Sequence, residues 1–217
     1  LTLVNAKGER LLKIAVLTPR QDTVGGGFSY DRSRLFGSNG GLMIFEVRGT
    51  IIPQSRAALA NAAIEAGATH LLWIDSDMRF PPDSLARLLN HDKPIVAANY
   101  TTRRPPYLPT AETKNGFLFT SPDSDGLVEV SHCGMGLMLV DTEVMRTIGE
   151  PFFAIGFNPK DKQYVGEDFY FCKKARDHGF KVYVDQGLSK EVRHVGEVEF
   201  TYEHALETQA RMIGGTN

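Results

Sequence analysis

Two carboxylates stand one residue apart in Asp75-Ser76-Asp77, directly after the apolar run His70 to Ile74. Alternate residues of an extended chain face the same way. Both side chains can therefore converge on one hard divalent cation, Mg²⁺ or Mn²⁺, which in turn can bridge to a diphosphate. In a plain strand-end turn the same pair would only hydrogen-bond nearby backbone N–H groups. Glu167-Asp168 opens a helical stretch. Carboxylates there complement the helix dipole, and one held ionised by that field can act as a base or clamp a sugar. His194 can complete a metal site through a neutral imidazole, or simply lie at the surface.

A second group of residues carries charge or close-approach chemistry. Arg56 falls in the first turn of a helix, against the dipole, which suits an anionic partner or a solvated side chain. Arg103 and Arg104 follow the strand Pro94 to Ala98 and can fork onto phosphate, or stand as exposed loop charges. Thr18-Pro19 closes the first strand and can offer backbone groups to a nucleobase, or merely end the strand. Gly25-Gly26-Gly27 has neither the dinucleotide nor the P-loop spacing and reads as a mobile loop. Gly134 and Gly136 border the apolar run Leu137 to Val140, where they permit close backbone approach to a ligand or mark a bulge. His132 and Cys133 are adjacent on a strand and so face opposite ways, which argues against a Cys-His dyad.

These residues need elements to hold them. Strands are predicted at Lys13 to Leu17, Ile44 to Val47, His70 to Ile74, Pro94 to Ala98, Phe117 to Phe119, Leu127 to Val130, Met135 to Val140 and Phe180 to Val184. Helices are predicted at Pro53 to Ala66, after Pro81-Pro82, at Glu167 to His178 and at Phe200 to Ile213. Residues 99–115 and the segment Val24 to Phe28 read as loops. The alternation in the first half predicts an α/β fold: a mainly parallel, mixed sheet with helices on both faces. In such sheets ligands gather at the carboxyl ends of strands, which is where the motifs fall.

The 217 residues fit one domain. The net charge of −2 carries no basic footprint for nucleic acid. No run of apolar residues is long enough to span a membrane. Cys133 and Cys172 have no metal-type spacing; a reduced setting is the simpler reading, although they could pair. With no signal-peptide pattern, a cytoplasmic location is expected.

Taken in order, Arg56, Leu71 to Asp77, Gly134 to Val140, Glu167-Asp168 and His194 resemble a glycosyltransferase of the GT-A fold, near the broad family 2 group. The resemblance runs from Lys13 to His194. Ala57 stands where many relatives have Asn, Thr18-Pro19-Arg20 replaces a Pro-x-Tyr/Phe-Asn motif, and no QxxRW motif follows Glu167-Asp168. The last point favours transfer of a single sugar. The resemblance implies a nucleotide-sugar donor, a UDP-sugar by family frequency, and an acceptor hydroxyl, with a donor-binding part over about 1–100 and an acceptor-side part over about 101–217. It implies Mn²⁺ or Mg²⁺ at Asp75, Asp77 and His194, with Asp168 and Glu167 catalytic. Thr18, Pro19, Arg20, Arg56, Asp75, Ser76, Tyr100 and Arg104 form the expected donor set, and Gly134 and Gly136 the sugar or acceptor side. A sugar nucleotidyltransferase and a non-catalytic nucleotide-sugar-binding module are the alternatives.

Overall fold

The computed structural model describes residues 12–103, 105–159 and 162–196. The chain opens with β1 (Ile14–Arg20), α1 (Gly26–Ser38), β2 (Met43–Arg48), α2 (Ile52–Glu65) and β3 (His70–Ile74). A two-residue strand β4 (Met78–Arg79), α3 (Ser84–Asn90) and β5 (Ile95–Ala97) follow. Then come β6 (Glu112–Thr113), β7 (Gly116–Phe117), β8 (Leu127–Val130), β9 (Leu137–Asp141) and α4 (Thr142–Ile148). The last described elements are β10 (Gly156–Asn158), β11 (Gln163–Val165), α5 (Glu167–Asp177), β12 (Val182–Asp185), α6 (Gln186–Ser189) and β13 (Arg193–His194).

Seven strands form the central sheet in the order β2-β1-β3-β9-β5-β12-β8. The register gives β2, β1, β3, β5 and β12 one direction, with β9 and β8 reversed. The fold is thus the expected mixed, mainly parallel α/β arrangement. Strand alternation separates two cores. Ala15, Leu17, Leu71 and Trp73 join α2, α4 and α5 on one face. Val16, Leu72 and Ile74 join α1, α3 and α6 on the other. Both faces are covered, which is why these strands read as unbroken apolar runs.

Several local expectations change. β1 does not stop at Thr18-Pro19 but continues to Arg20, with Pro19 in register with Val47 of β2. Its pairing with β3 has already ended at Leu17, so Pro19 sits where β1 is paired on one side alone. The glycine-rich segment is not a loop: α1 starts at Gly26 and buries Phe28, Asp31 and Leu35. α4 lies where no helix was predicted; the Asp141 carboxylate accepts a hydrogen bond from Glu143 N and caps it. Both cysteines are free and buried. The predicted helix Phe200 to Ile213 lies outside the described residues.

Candidate functional site

The site is built where β3 ends. Asp75 N still donates to Gly136 O at 3.0 Å, extending the ladder with β9 by one bond. The chain then turns, with Met78 N donating to Asp75 O at 3.1 Å. This turn breaks the extended alternation assumed for Asp75 and Asp77. The two carboxylates meet different side-chain partners, while the charge of Asp77 still acts on Asp75.

Asp75 joins a buried network. Arg56 of α2 is only 3% exposed. Its Nη2 donates to Asp75 Oδ2 at 3.0 Å and its Nε donates to Glu167 Oε1 at 3.0 Å. One guanidinium fork therefore ties α2, the end of β3 and the start of α5. Its carbon lies 5.6 Å from the centre of the Trp73 ring. Burial opposes the charge of Arg56, but Asp75 and Glu167 outweigh it and raise its pKa. Burial likewise pushes Asp75 above the ordinary carboxylate value, against the pull of Arg56. Arg56 Nη1 is buried without a hydrogen-bond partner among the described residues. A helix-start arginine facing solvent is not what forms.

Asp77 joins an open pair. His194 Nε2 lies 3.3 Å from Asp77 Oδ2, and Arg103 Nη1 lies 2.9 Å from the same oxygen. β13 brings His194 here by pairing with β4, His194 opposite Met78, and Val195 N donates to Asp77 O at 2.8 Å. His194 Nδ1 is 2.9 Å from Thr101 O. A carbonyl only accepts, so Nδ1 carries the proton. Nε2 then faces a carboxylate, and the contact closes through a second ring proton or a shared cation. Burial disfavours the charge of His194, yet its bonds to Asp77 and Thr101 raise its pKa. Burial alone would raise Asp77; His194 and Arg103 prevail and lower it.

Of the three expected metal ligands, the structure joins Asp77 to His194 and holds Asp75 on Arg56. No cluster of three His, Cys, Asp or Glu side chains suited to a metal occurs among the described residues. The donor chemistry of the remaining two still fits a cation. The Nδ1 hydrogen bond to a backbone carbonyl is the arrangement that orients a metal-binding imidazole. A small hard cation is commonly held by one or two protein groups, with substrate phosphates completing its shell.

Asp168 follows Glu167 in the first turn of α5, with Oδ1 2.7 Å from Phe169 N. Burial, and then the neighbouring Glu167 charge, raise its pKa. Tyr100 is held nearby: its hydroxyl accepts from Gly136 N at 3.0 Å, and its ring stands edge-on to His194 at 5.0 Å. This corrects the reading of the two glycines. A Cβ at Gly134 would collide with the Tyr100 hydroxyl, and one at Gly136 would stand 2.8 Å from Tyr100 Cζ. The glycines make room for a side chain of this protein.

A cavity of about 940 Å³ adjoins the turn, lined by Ser76, Asp77, Arg79, Arg103 and the segment Val24 to Phe28, among others. Thr18, Pro19 and Arg20 are not in its wall. Thr18 is buried, and Arg20 is paired with Glu46 at 3.1 Å. Arg104 lies outside the described residues. A brace that no motif signalled holds the cavity's shape. Buried Asp31 of α1 accepts from Arg79 Nε at 2.5 Å and from Phe80 N at 3.3 Å. Gly27 leaves space for that arginine, since a Cβ there would stand 2.7 Å from Arg79 Nη1. No local pattern links Asp31 to Arg79, so only the folded chain reveals the pair.

No family model matches the chain, and no curated protein matches it in sequence. Among solved structures, A197 from STIV is similar in fold: 15% identity, 89% of this chain and 100% of that one aligned, TM-score 0.56. A structure of residues 1–349 of TarS from S. aureus aligns over 85% of this chain and 60% of that one, with 11% identity and a TM-score of 0.48. At these identities the likeness to A197 is one of fold.

Proposed function

We propose that this chain is a metal-dependent glycosyltransferase that moves one sugar from a nucleotide-diphosphate sugar, in the first instance a UDP-sugar, to an acceptor hydroxyl. The observation that carries this reading is the meeting of Asp77 and His194 at 3.3 Å beside a cavity large enough for a nucleotide. Asp77 and His194 would hold Mn²⁺ or Mg²⁺. When bound, such a cation supplies Lewis-acid stabilisation of the departing diphosphate. Arg103, already on Asp77, is placed to turn to a donor phosphate. If transfer inverts the sugar, Asp168 takes the acceptor's proton as its oxygen bonds to the anomeric carbon and the bond to diphosphate breaks. A raised pKa makes it the stronger base for this. If transfer retains configuration, Glu167 and Asp168 position the sugar or acceptor. Arg56 acts through Glu167 and Asp75, holding both carboxylates in place.

The test is incubation with Mn²⁺ and a panel of nucleotide sugars. Release of free nucleoside diphosphate that stops in excess chelator is expected; full release in chelator rejects the metal. A second reading, a sugar nucleotidyltransferase, is favoured by Gly25 to Gly27 lining the cavity beside Asp77. Pyrophosphate-dependent formation of nucleoside triphosphate in the same panel would select it. Binding without turnover, across acceptors, would select a binding module.

A further inference from the structure

A second cavity, of about 560 Å³, opens on the other side of the Tyr100–His194 contact. Its wall includes Tyr100, Phe119, Thr120, Lys190, Arg193 and His194, and no Asp or Glu. Neither cation meets a carboxylate among the described residues. There Lys190 Nζ donates to the Pro122 carbonyl at 3.3 Å. The Arg193 guanidinium has no partner among the described residues, although β13 sets it directly opposite Arg79 in the ribbon with β4. Like charges so placed repel, and Arg79 is neutralised by Asp31 while Arg193 is not. Most described arginines hold a carboxylate, among them Arg20, Arg48, Arg79, Arg87 and Arg103, whereas Arg34, Arg176 and Arg193 do not; of these three only Arg193 lines either cavity. Phe119 adds an apolar ring face, 64% exposed, at the same wall.

We infer that this cavity binds an anionic ring compound of the sugar-phosphate or sugar-acid class. Its phosphate or carboxylate meets Lys190 and Arg193 by charge-assisted hydrogen bonds, and its ring lies against Phe119. The two cavities lie on either side of the Asp77–His194 pair, one reached by Asp77 and the other by His194. Because its wall carries no carboxylate, a ligand here serves as the acceptor in a retaining transfer, which needs no general base. That role rests on the transferase reading, whereas the binding itself does not.

The experiment is ligand-observed NMR titration of the full chain, without added metal, using glucose 6-phosphate, glucuronate and glucose. At least one of the anions is expected to bind, with glucose weaker by about tenfold or more. Lys190→Ala with Arg193→Ala should abolish anion binding, Arg193→Gln should weaken it, and Arg146→Ala on α4, away from both cavities, should leave it intact. Circular dichroism checks that each variant is folded. Equal binding of glucose and the anions, no binding of either anion, or loss in Arg146→Ala but not in the double variant overturns the inference. A chain that binds the anions yet releases no nucleoside diphosphate from any donor fails as a transferase while the anion site stands.

Discussion

The two ends of Asp75-Ser76-Asp77 are chemically alike and physically opposite. At Asp75 the partner is Arg56 of α2, a guanidinium 4% exposed that also holds Glu167. At Asp77 the partners are His194 and Arg103, and the Arg103 side chain is 49% exposed. A network around a buried guanidinium is costly to break, because removing that charge leaves two partly buried carboxylates unpaired beside one another. An open pair can exchange partners cheaply. One carboxylate thus belongs to the frame, and the other is free to meet a ligand.

Breaking the frame should have the largest effect. Arg56→Ala strands Asp75 and Glu167 and is expected to cost about 3–5 kcal/mol of stability, as for a broken buried pair. Urea unfolding measures it. A variant as stable as the parent would place Arg56 outside the frame, and a simple rise in donor KM would then be its expected effect. Next comes Asp168→Asn, expected to lower kcat by about 10²–10⁴-fold if this group is the base. In the parent, the rate should rise with pH through a midpoint above the ordinary carboxylate range, because only the ionised form accepts a proton. The same raised pKa has a stability sign. The folded state holds the Asp168 proton more tightly, so this contribution is present below the unfolded pKa and is lost as pH rises through the folded one. Asp168→Asn should remove that pH dependence from thermal melts.

Asp77→Ala should lower kcat by on the order of a hundredfold or more, with an unchanged circular dichroism spectrum. His194→Ala should do less, since water replaces a neutral ligand more readily than an anionic one. The smallest effect is expected at Arg103→Ala, with stability within about 0.5 kcal/mol of the parent. It should bind Mn²⁺ more tightly in a direct titration, because a competing positive charge leaves Asp77. Unchanged or weaker Mn²⁺ binding would mean that Arg103 does not compete there.

What could be read before folding was what periodicity and burial encode. β3, β9 and β12 announce themselves as apolar runs, and α5 as a helix opening on acids. α1 is hidden because its cap and first two residues are glycines and one of its buried positions is Asp31, whose reason is Arg79. The spacing of Asp75 and Asp77 shows neither the hydrogen-bonded turn between them nor the arginine that each one meets. Gly134 and Gly136 were visible as close-approach positions, but not that Tyr100 is what approaches. Two-residue strands such as β4 and β13 are too short to show a period at all.

That short ribbon is completed by the last described element. Every strand of the central sheet is in hand once the chain has reached Asp185, while His194 arrives afterwards. The central sheet is therefore encoded entirely upstream of the Asp77–His194 contact. A chain ending between Val192 and His194 would carry every strand of that sheet and lack the contact.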